Sequence, residues 1–237
     1  MLKVICNFVP MDIDINISRC EYGKYDIDIT CDNNVYVYLA KVKDIKRCTE
    51  CMPESDKENF EETKRTIQSS SALSLLKYAV KDIWGIDEDF SALRVSENGK
   101  PYVDGYSFSI SHSGALVCVA ISKQEVGVDI ECSTTPRNWC GLRRRVLNHQ
   151  ELEEVTEDSK SMTEIWTKKE AVFKLLGDKV FSPSKIDIEG YYIDTIDDIW
   201  DAYDNEDYVL SVATKEKSNN YLFVKAARLH KDTWELE

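Results

Sequence analysis

One short segment constrains this chain more than any other. In Val126-Gly127-Val128-Asp129-Ile130-Glu131, apolar side chains alternate with polar or minimal ones. Alternation at period two is the pattern of a strand with one buried face. Val126, Val128 and Ile130 are expected to enter a core. Gly127, Asp129 and Glu131 then share the opposite face. Carboxylates at i and i+2 lie close enough to repel, and a divalent cation held by oxygen relieves that repulsion. A solvated edge strand with two surface acids fits the same residues, because most exposed carboxylates have no special role.

Downstream, Ser161-Met162-Thr163-Glu164 has the capping-box spacing of a helix start, and Gly177 is placed to end that helix. Inside it, Trp166, Glu170 and Lys174 fall at i, i+4 and i+8 on one face. Val172, Leu175 and Leu176 supply an apolar side. Glu170 before Lys174 is the favourable order for a helix-surface pair, worth roughly 0.2–0.5 kcal/mol. That accounts for the pair but not for the tryptophan on the same stripe. Upstream, Phe108-Ser109-Ile110-Ser111 alternates like a strand, His112-Ser113-Gly114 reads as a turn, and Ala115 to Ile121 is an almost continuous apolar strand. The result is a hairpin with Ser111 and His112 at its bend. A histidine there fits donation to a phosphate oxygen, and equally fits capping of local backbone groups. Asn98-Gly99-Lys100-Pro101 is a turn presenting one lysine.

Gly99-Lys100-Pro101, then Phe108 to Gly114, then Val126 to Glu131, then Trp166-Thr167-Lys168-Lys169-Glu170-Ala171-Val172-Phe173-Lys174 occur in this order. With these four motifs in register, the chain resembles the surfactin-type 4′-phosphopantetheinyl transferases from about Val35 onward. The resemblance implies an α+β fold of two similar halves related by a pseudo-twofold axis, with coenzyme A in the cleft between them. It implies transfer of 4′-phosphopantetheine from coenzyme A to a serine of an acyl or peptidyl carrier protein, with release of 3′,5′-ADP. Asp129, Glu131 and Glu170 match the family's metal-binding acids, for Mg²⁺ or Mn²⁺. Glu170 is expected to take the serine proton, directly or through a metal-bound water, and Lys174 to contact the diphosphate and protonate the leaving group. Ser111 and His112 match phosphate-contacting positions, Lys100 a coenzyme A contact, and Lys169 a second lysine beside the diphosphate.

Two departures stand out. Where the family has a basic residue followed by Ser or Thr for the 3′-phosphate of coenzyme A, this chain has Gln68-Ser69. Lys64 and Arg65 lie one turn earlier, as substitutes for that contact or as ordinary helix-surface charges. The second departure is an N-terminal extension, residues 1–34, in which Ile13, Ile15 and Ile17, and then Tyr25, Ile27 and Ile29, alternate around Gly23. A β-hairpin is expected there. The remainder is expected as an N-terminal half over 35–122 and a C-terminal half over 123–237 carrying the acids, with Ser122 to Glu125 as crossover. Helices are expected near Ser70–Ile83, Arg143–Val155 and Glu164–Leu176, and strands near Tyr191–Ile193, Tyr208–Ala213 and Tyr221–Ala227. The acidic stretch Asp194 to Asp207 is expected to be mainly loop.

A chain of 237 residues, 43% hydrophobic, can bury a substantial core. No apolar run reaches the roughly 20 residues of a membrane span, and no secretory signal is visible. A cytoplasmic, monomeric protein is expected. The eight cysteines include a lone Cys48-Thr49-Glu50-Cys51 and form no framework, so reduced thiols are expected. A net charge of −13 argues against nucleic acid. Acidic carrier proteins then need a local basic surface. Arg143-Arg144-Arg145, with Lys168, Lys169, Lys174, Lys179 and Lys185, is expected to form that rim, and Leu142 and Val146 its apolar contacts. Two other classes fit the same acids: a Mg²⁺-dependent nucleotide hydrolase, which needs no protein acceptor, and a catalytically silent coenzyme A or carrier-binding protein.

Overall fold

The computed structural model describes residues 34–41, 54–87, 94–98, 100–201, 206–218, 220–230 and 233–236. The hairpin expected over residues 1–34 lies almost wholly outside them, as do Cys48 and Cys51. Strand β1 (Asn34–Lys41) is followed by the long helix α1 (Glu54–Trp84), the short strands β2 (Arg94–Val95) and β3 (Pro101–Tyr102), the hairpin β4 (Ser107–Ser113) and β5 (Leu116–Ser122), and strand β6 (Val126–Cys132). Helices α2 (Trp139–Val146), α3 (Glu151–Glu154) and α4 (Ser159–Leu176) come next, then β7 (Tyr192–Asp201), β8 (Glu206–Thr214), β9 (Asn220–His230) and β10 (Thr233–Leu236). The strands form a five-stranded sheet ordered β10-β9-β1-β5-β4, a three-stranded sheet ordered β6-β8-β7, and the β2–β3 pair. β1 runs antiparallel to β5 and parallel to β9, so the far end of the chain completes the sheet begun by β1.

The layers follow from strand alternation. All seven residues of β5 are buried, because each of its faces meets a different core. Val117, Val119 and Ile121 join Tyr36, Tyr38 and Ala40 of β1 against Ala72, Leu75, Leu76, Ala79 and Val80 of α1. Leu116, Cys118 and Ala120, with Val35, Val37 and Leu39, meet Val126, Val128 and Ile130 of β6 and Leu210 and Val212 of β8. The order is therefore α1, five-stranded sheet, three-stranded sheet, α4. The polar face of β6 turns toward α4, and Gly127 is where the two touch. A Cβ on Gly127 would lie 2.0 Å from the Ala171 carbonyl oxygen and 2.5 Å from the Leu175 nitrogen. Only glycine lets the helix come this close.

β4 lies beside the free edge of β6 and covers it with hydroxyls. Val126, Val128 and Cys132 donate their backbone N–H groups to the Oγ atoms of Ser107 (3.2 Å), Ser109 (3.0 Å) and Ser113 (3.1 Å). A ladder of serine side chains thus replaces a backbone ladder, satisfying donors that burial would otherwise leave unpaired.

Several expectations are corrected. The helix expected over Ser70–Ile83 begins at Glu54. The cap of α4 is Asp158, whose side chain accepts from the Ser161 N–H, so the helix starts before the Ser161–Glu164 box. Gly177 does end it, in the left-handed region at φ 66°. Ser111 and His112 lie on strand β4, while the bend is at Gly114-Ala115. The helix expected over Arg143–Val155 is split, because Asn148 and Glu151 form a reciprocal cap that starts α3. Most of Asp194–Asp207 is strand rather than loop: Ile196 and Ile199 are buried, and an irregularity between them hides the alternation. Among the described residues, no helix is long and apolar enough to cross a membrane.

Gly127→Ala is expected to destabilise the protein by about 1–3 kcal/mol or more in urea denaturation, since backbone rather than a mobile side chain blocks the methyl group. Gly190→Ala, with nothing within 4 Å of the new Cβ, is the matched control and is expected to be nearly neutral.

Candidate active site

The polar face of β6 gathers the acids where the sequence places them. Asp129 is 3% exposed. Its Oδ1 accepts from Ser111 Oγ at 2.6 Å and from Lys174 Nζ at 2.7 Å, and the same lysine donates to Ser111 Oγ at 2.8 Å. Glu131 is treated in the same way: its Oε2 accepts from Ser113 Oγ at 2.9 Å and from Arg137 Nη2 at 2.6 Å. Each acid is thus held through one oxygen by one serine of β4 and one cation. Asp129 Oδ2 is buried without a hydrogen-bond partner. Among the described residues, neither Glu131 Oε1 nor Glu170 makes a hydrogen bond or ion pair.

Electrostatics tie Glu170 to this pair. Burial, then the Asp129 charge, raise its carboxyl to about 7, with Lys174 and Arg137 pulling the other way. Glu131 is also raised, by burial and by Asp129, against Arg137 and Ser113. Burial pulls the Lys174 ammonium down, but Asp129 and Glu170 outweigh it and its affinity for the proton is raised. This is an excess of negative charge at one buried point, with two protein cations set against three carboxylates. Among the described residues, no group of three His, Cys, Asp or Glu side chains stands ready-made around a metal ion. The acids are braced by Lys174 and Arg137 instead of being closed on one another.

Arg137 is the site residue that sequence reading missed. It lies in the loop after β6, its Cζ 5.5 Å from the Trp139 ring centroid and 5.9 Å from that of Trp166. Trp166, Phe181 and Phe173 continue as a run of aromatic contacts. The tryptophan that shares a helical stripe with Glu170 and Lys174 thus packs beside the arginine that holds Glu131. A guanidinium among aromatic rings is a detectable pattern in Pro136-Arg137-Asn138-Trp139, but only once Trp166 is known to be its neighbour.

The other expected residues divide. Lys100 lies at the end of α4, donating to the Leu175 carbonyl at 3.3 Å with its stem against Gly177, and burial lowers its ammonium. Together with Pro101, Phe108, Ile110, Phe173 and Lys174 it lines a cavity of about 300 Å³. Ser111 is buried and its hydroxyl is engaged by Asp129 and Lys174. His112, one residue on, is exposed. Ser69 is exposed on α1, whereas Gln68 is buried and donates to the Gly114 carbonyl at 2.9 Å, pinning the β4–β5 bend. Lys64 and Arg65 lie on α1, with side chains outside the described residues. Lys169 does not join the site. It is fully buried, paired with Glu151 at 2.7 Å and donating to the Pro183 carbonyl at 2.9 Å. Being next to Glu170 on a helix turns it about 100° away, toward α3.

The basic rim is corrected as well. Arg143 donates to the carbonyls of Leu152 and Val155 and pairs with Glu157, so it braces α3. Val146 is buried in the core between α2 and α4. Arg144 and Arg145 are exposed. A groove of about 530 Å³ is lined by Ser133, Thr134, Arg137, Asn138, Trp139 and Cys140, among others, and so takes in the start of α2, the helix that carries Arg144 and Arg145. The acid pair therefore lies between two openings, Lys174 lining one and Arg137 the other. Cys118, Cys132 and Cys140 are free thiols.

Residues 125–213 match the family model described as the 4′-phosphopantetheinyl transferase superfamily. The chain is 31% identical over 134 residues to the 4′-phosphopantetheinyl transferase gsp of Aneurinibacillus migulanus, an overlap covering 52% of this chain and 51% of that protein. It is 30% identical over 117 residues to the 4′-phosphopantetheinyl transferase AcpT of Salmonella typhimurium, covering 42% and 61%. With AcpT of Escherichia coli O157:H7 it shares 33% over 100 residues, covering 38% and 51%. The chain thus spans about half to three-fifths of the length of these relatives. Asp129, Glu131, Arg137, Glu170 and Lys174 all lie within the stretch that matches the 4′-phosphopantetheinyl transferase superfamily model.

Proposed function

We propose that this protein transfers 4′-phosphopantetheine from coenzyme A to a serine hydroxyl of an apo acyl or peptidyl carrier protein, in a Mg²⁺-dependent reaction that releases 3′,5′-ADP. The observation that carries this reading is the braced acid pair, with Lys174 on Asp129 and Glu170 beside both. The residues present suit a divalent cation: Asp129 Oδ2 is a buried oxygen without a partner, and Glu131 Oε1 and Glu170 are also uncommitted. Asp129, Glu131 and Glu170 would hold it, and once bound it would neutralise the charge that builds on the diphosphate. We also read the two sheets, each backed by one long helix, as the two halves of a pseudo-twofold fold.

The chain's own groups then divide the work. The carrier serine oxygen attacks the β-phosphorus, the bond from that phosphorus to the oxygen bridging the α-phosphate breaks, and the leaving phosphate departs as 3′,5′-ADP. Glu170 takes the serine proton. Lys174 stands at the cavity it shares with Lys100, where it stabilises and protonates the leaving phosphate. The coenzyme enters from that cavity. The carrier approaches along the groove lined by Arg137, Trp139 and Cys140, and the exposed Arg144 and Arg145 farther along α2 suit an acidic partner.

Incubation with coenzyme A, Mg²⁺ and an apo carrier protein is expected to add about 340 Da to the carrier by mass spectrometry. Diphosphate cleavage without a carrier would favour the hydrolase, and an unmodified carrier with intact coenzyme A the silent binding protein. Glu170→Gln is expected to lower kcat by roughly 10²-fold or more while coenzyme A binding, read by calorimetry, stays largely intact; near-normal turnover would remove Glu170 as the base. Arg144→Glu with Arg145→Glu is expected to raise the carrier KM far more than the coenzyme A KM. An unchanged carrier KM would take the docking surface off this face.

A further inference from the structure

Asp129 and Glu131 are held in matching ways. One oxygen of each takes a serine hydroxyl of β4 and a cation, and the other is left uncommitted. Lys174 fills the cation's part at Asp129, and the proposed chemistry gives it a second task there. At Glu131 that part belongs to Arg137, to which neither the expected site set nor the proposed reaction gives any role. We infer that Arg137 is a positioning residue: it fixes the Glu131 carboxylate by Oε2 so that Oε1 is presented, beside Asp129 Oδ2, to a divalent cation. This rests on the phosphopantetheinyl transfer reading only in taking these acids as the cation site.

The surroundings suit that task. A guanidinium is a rigid planar donor that stacks on aromatic faces, which a lysine cannot do as well. Arg137 sits within 5.9 Å of two indole rings, themselves 6.1 Å apart, and Trp166 is carried by the same helix as Glu170 and Lys174. Glu131 is thus linked to α4 through Arg137 and Trp166, and Asp129 through Lys174. Both acids are registered against one helix. Groups that orient ligating carboxylates commonly change metal affinity 10- to 100-fold when removed.

The sign of the effect separates positioning from simple charge. Arg137 is a positive charge beside a cation site. If it acted only through its charge, its removal would tighten cation binding. If it positions Glu131, its removal weakens it. The test is Mn²⁺ binding to the purified protein without coenzyme or carrier, followed by electron paramagnetic resonance, for wild type, Arg137→Met and Arg137→Lys. Arg137→Met is expected to bind Mn²⁺ about tenfold more weakly, and Arg137→Lys to recover part of the loss. In turnover assays the same variant is expected to need about tenfold more Mg²⁺ for half-maximal rate, with kcat largely restored at saturating Mg²⁺. Thermal unfolding of each variant separates this from misfolding, which lowers the folded fraction and leaves the half-saturating Mg²⁺ unchanged. Equal or tighter Mn²⁺ binding by folded Arg137→Met overturns the inference while leaving the acids as a cation site. A wild-type protein that binds no Mn²⁺ overturns both.

Discussion

Two like charges two residues apart on one strand face are the constraint from which this structure follows. Asp129 is almost wholly buried and Glu131 largely so, and burying two carboxylates side by side is costly without countercharge and hydrogen bonds. The fold answers with one serine and one cation for each. The serines come from β4, at the edge of the other sheet, and the cations from α4 and from the loop after β6. The contact that joins the two sheets and the contact that steadies the acids are therefore one interaction. It uses a single run of alternating serines, Ser107, Ser109, Ser111 and Ser113, whose hydroxyls serve β6 backbone N–H groups and β6 carboxylates.

That arrangement also explains why the site is both tight and reactive. Gly127 lets α4 settle directly on β6, which brings Lys174 to Asp129 and leaves Glu170 in a field of two carboxylates and two cations. Braced acids with uncommitted oxygens suit the divalent ion that the proposed reaction calls for, since preorganised charge is the main thing phosphoryl transfer asks of a protein. Lys174 on Asp129 lines one cavity and Arg137 on Glu131 lines the other, which on the proposed reading suits separate approaches for donor and acceptor.

Much of this was legible in the sequence because it rests on periodicity. Val126 to Glu131 announces its two faces, and Val126, Val128 and Ile130 enter the core as read. The stripe of Trp166, Glu170 and Lys174 is one face of a helix that Gly177 ends. What escaped depends on tertiary neighbours. Alternating serines read as an ordinary strand face, and only the presence of a free β6 edge turns them into a ladder. Lys169 adjoins Glu170 in sequence and matches a phosphate-side lysine, but its helical angle points it to Glu151. Arg137 lies in a loop without periodicity, so nothing local marks it as the partner of Glu131. Gln68 stands where a basic residue was expected, and its buried amide ties α1 to the hairpin bend instead. The acidic run before Asp207 concealed β7, because charge density outweighed a broken alternation of Ile193, Ile196 and Ile199.

On the proposed reading, the acids of β6 and α4 serve one ion. A crystal structure with Mn²⁺ and coenzyme A, read by anomalous scattering, tests it most directly. A single ion is expected within ordinary oxygen-ligand distance, about 2.0–2.2 Å, of carboxylate oxygens from Asp129, Glu131 and Glu170, with Lys174 against the diphosphate. Ions scattered on separate surfaces, or a diphosphate bound away from these three side chains, would contradict it.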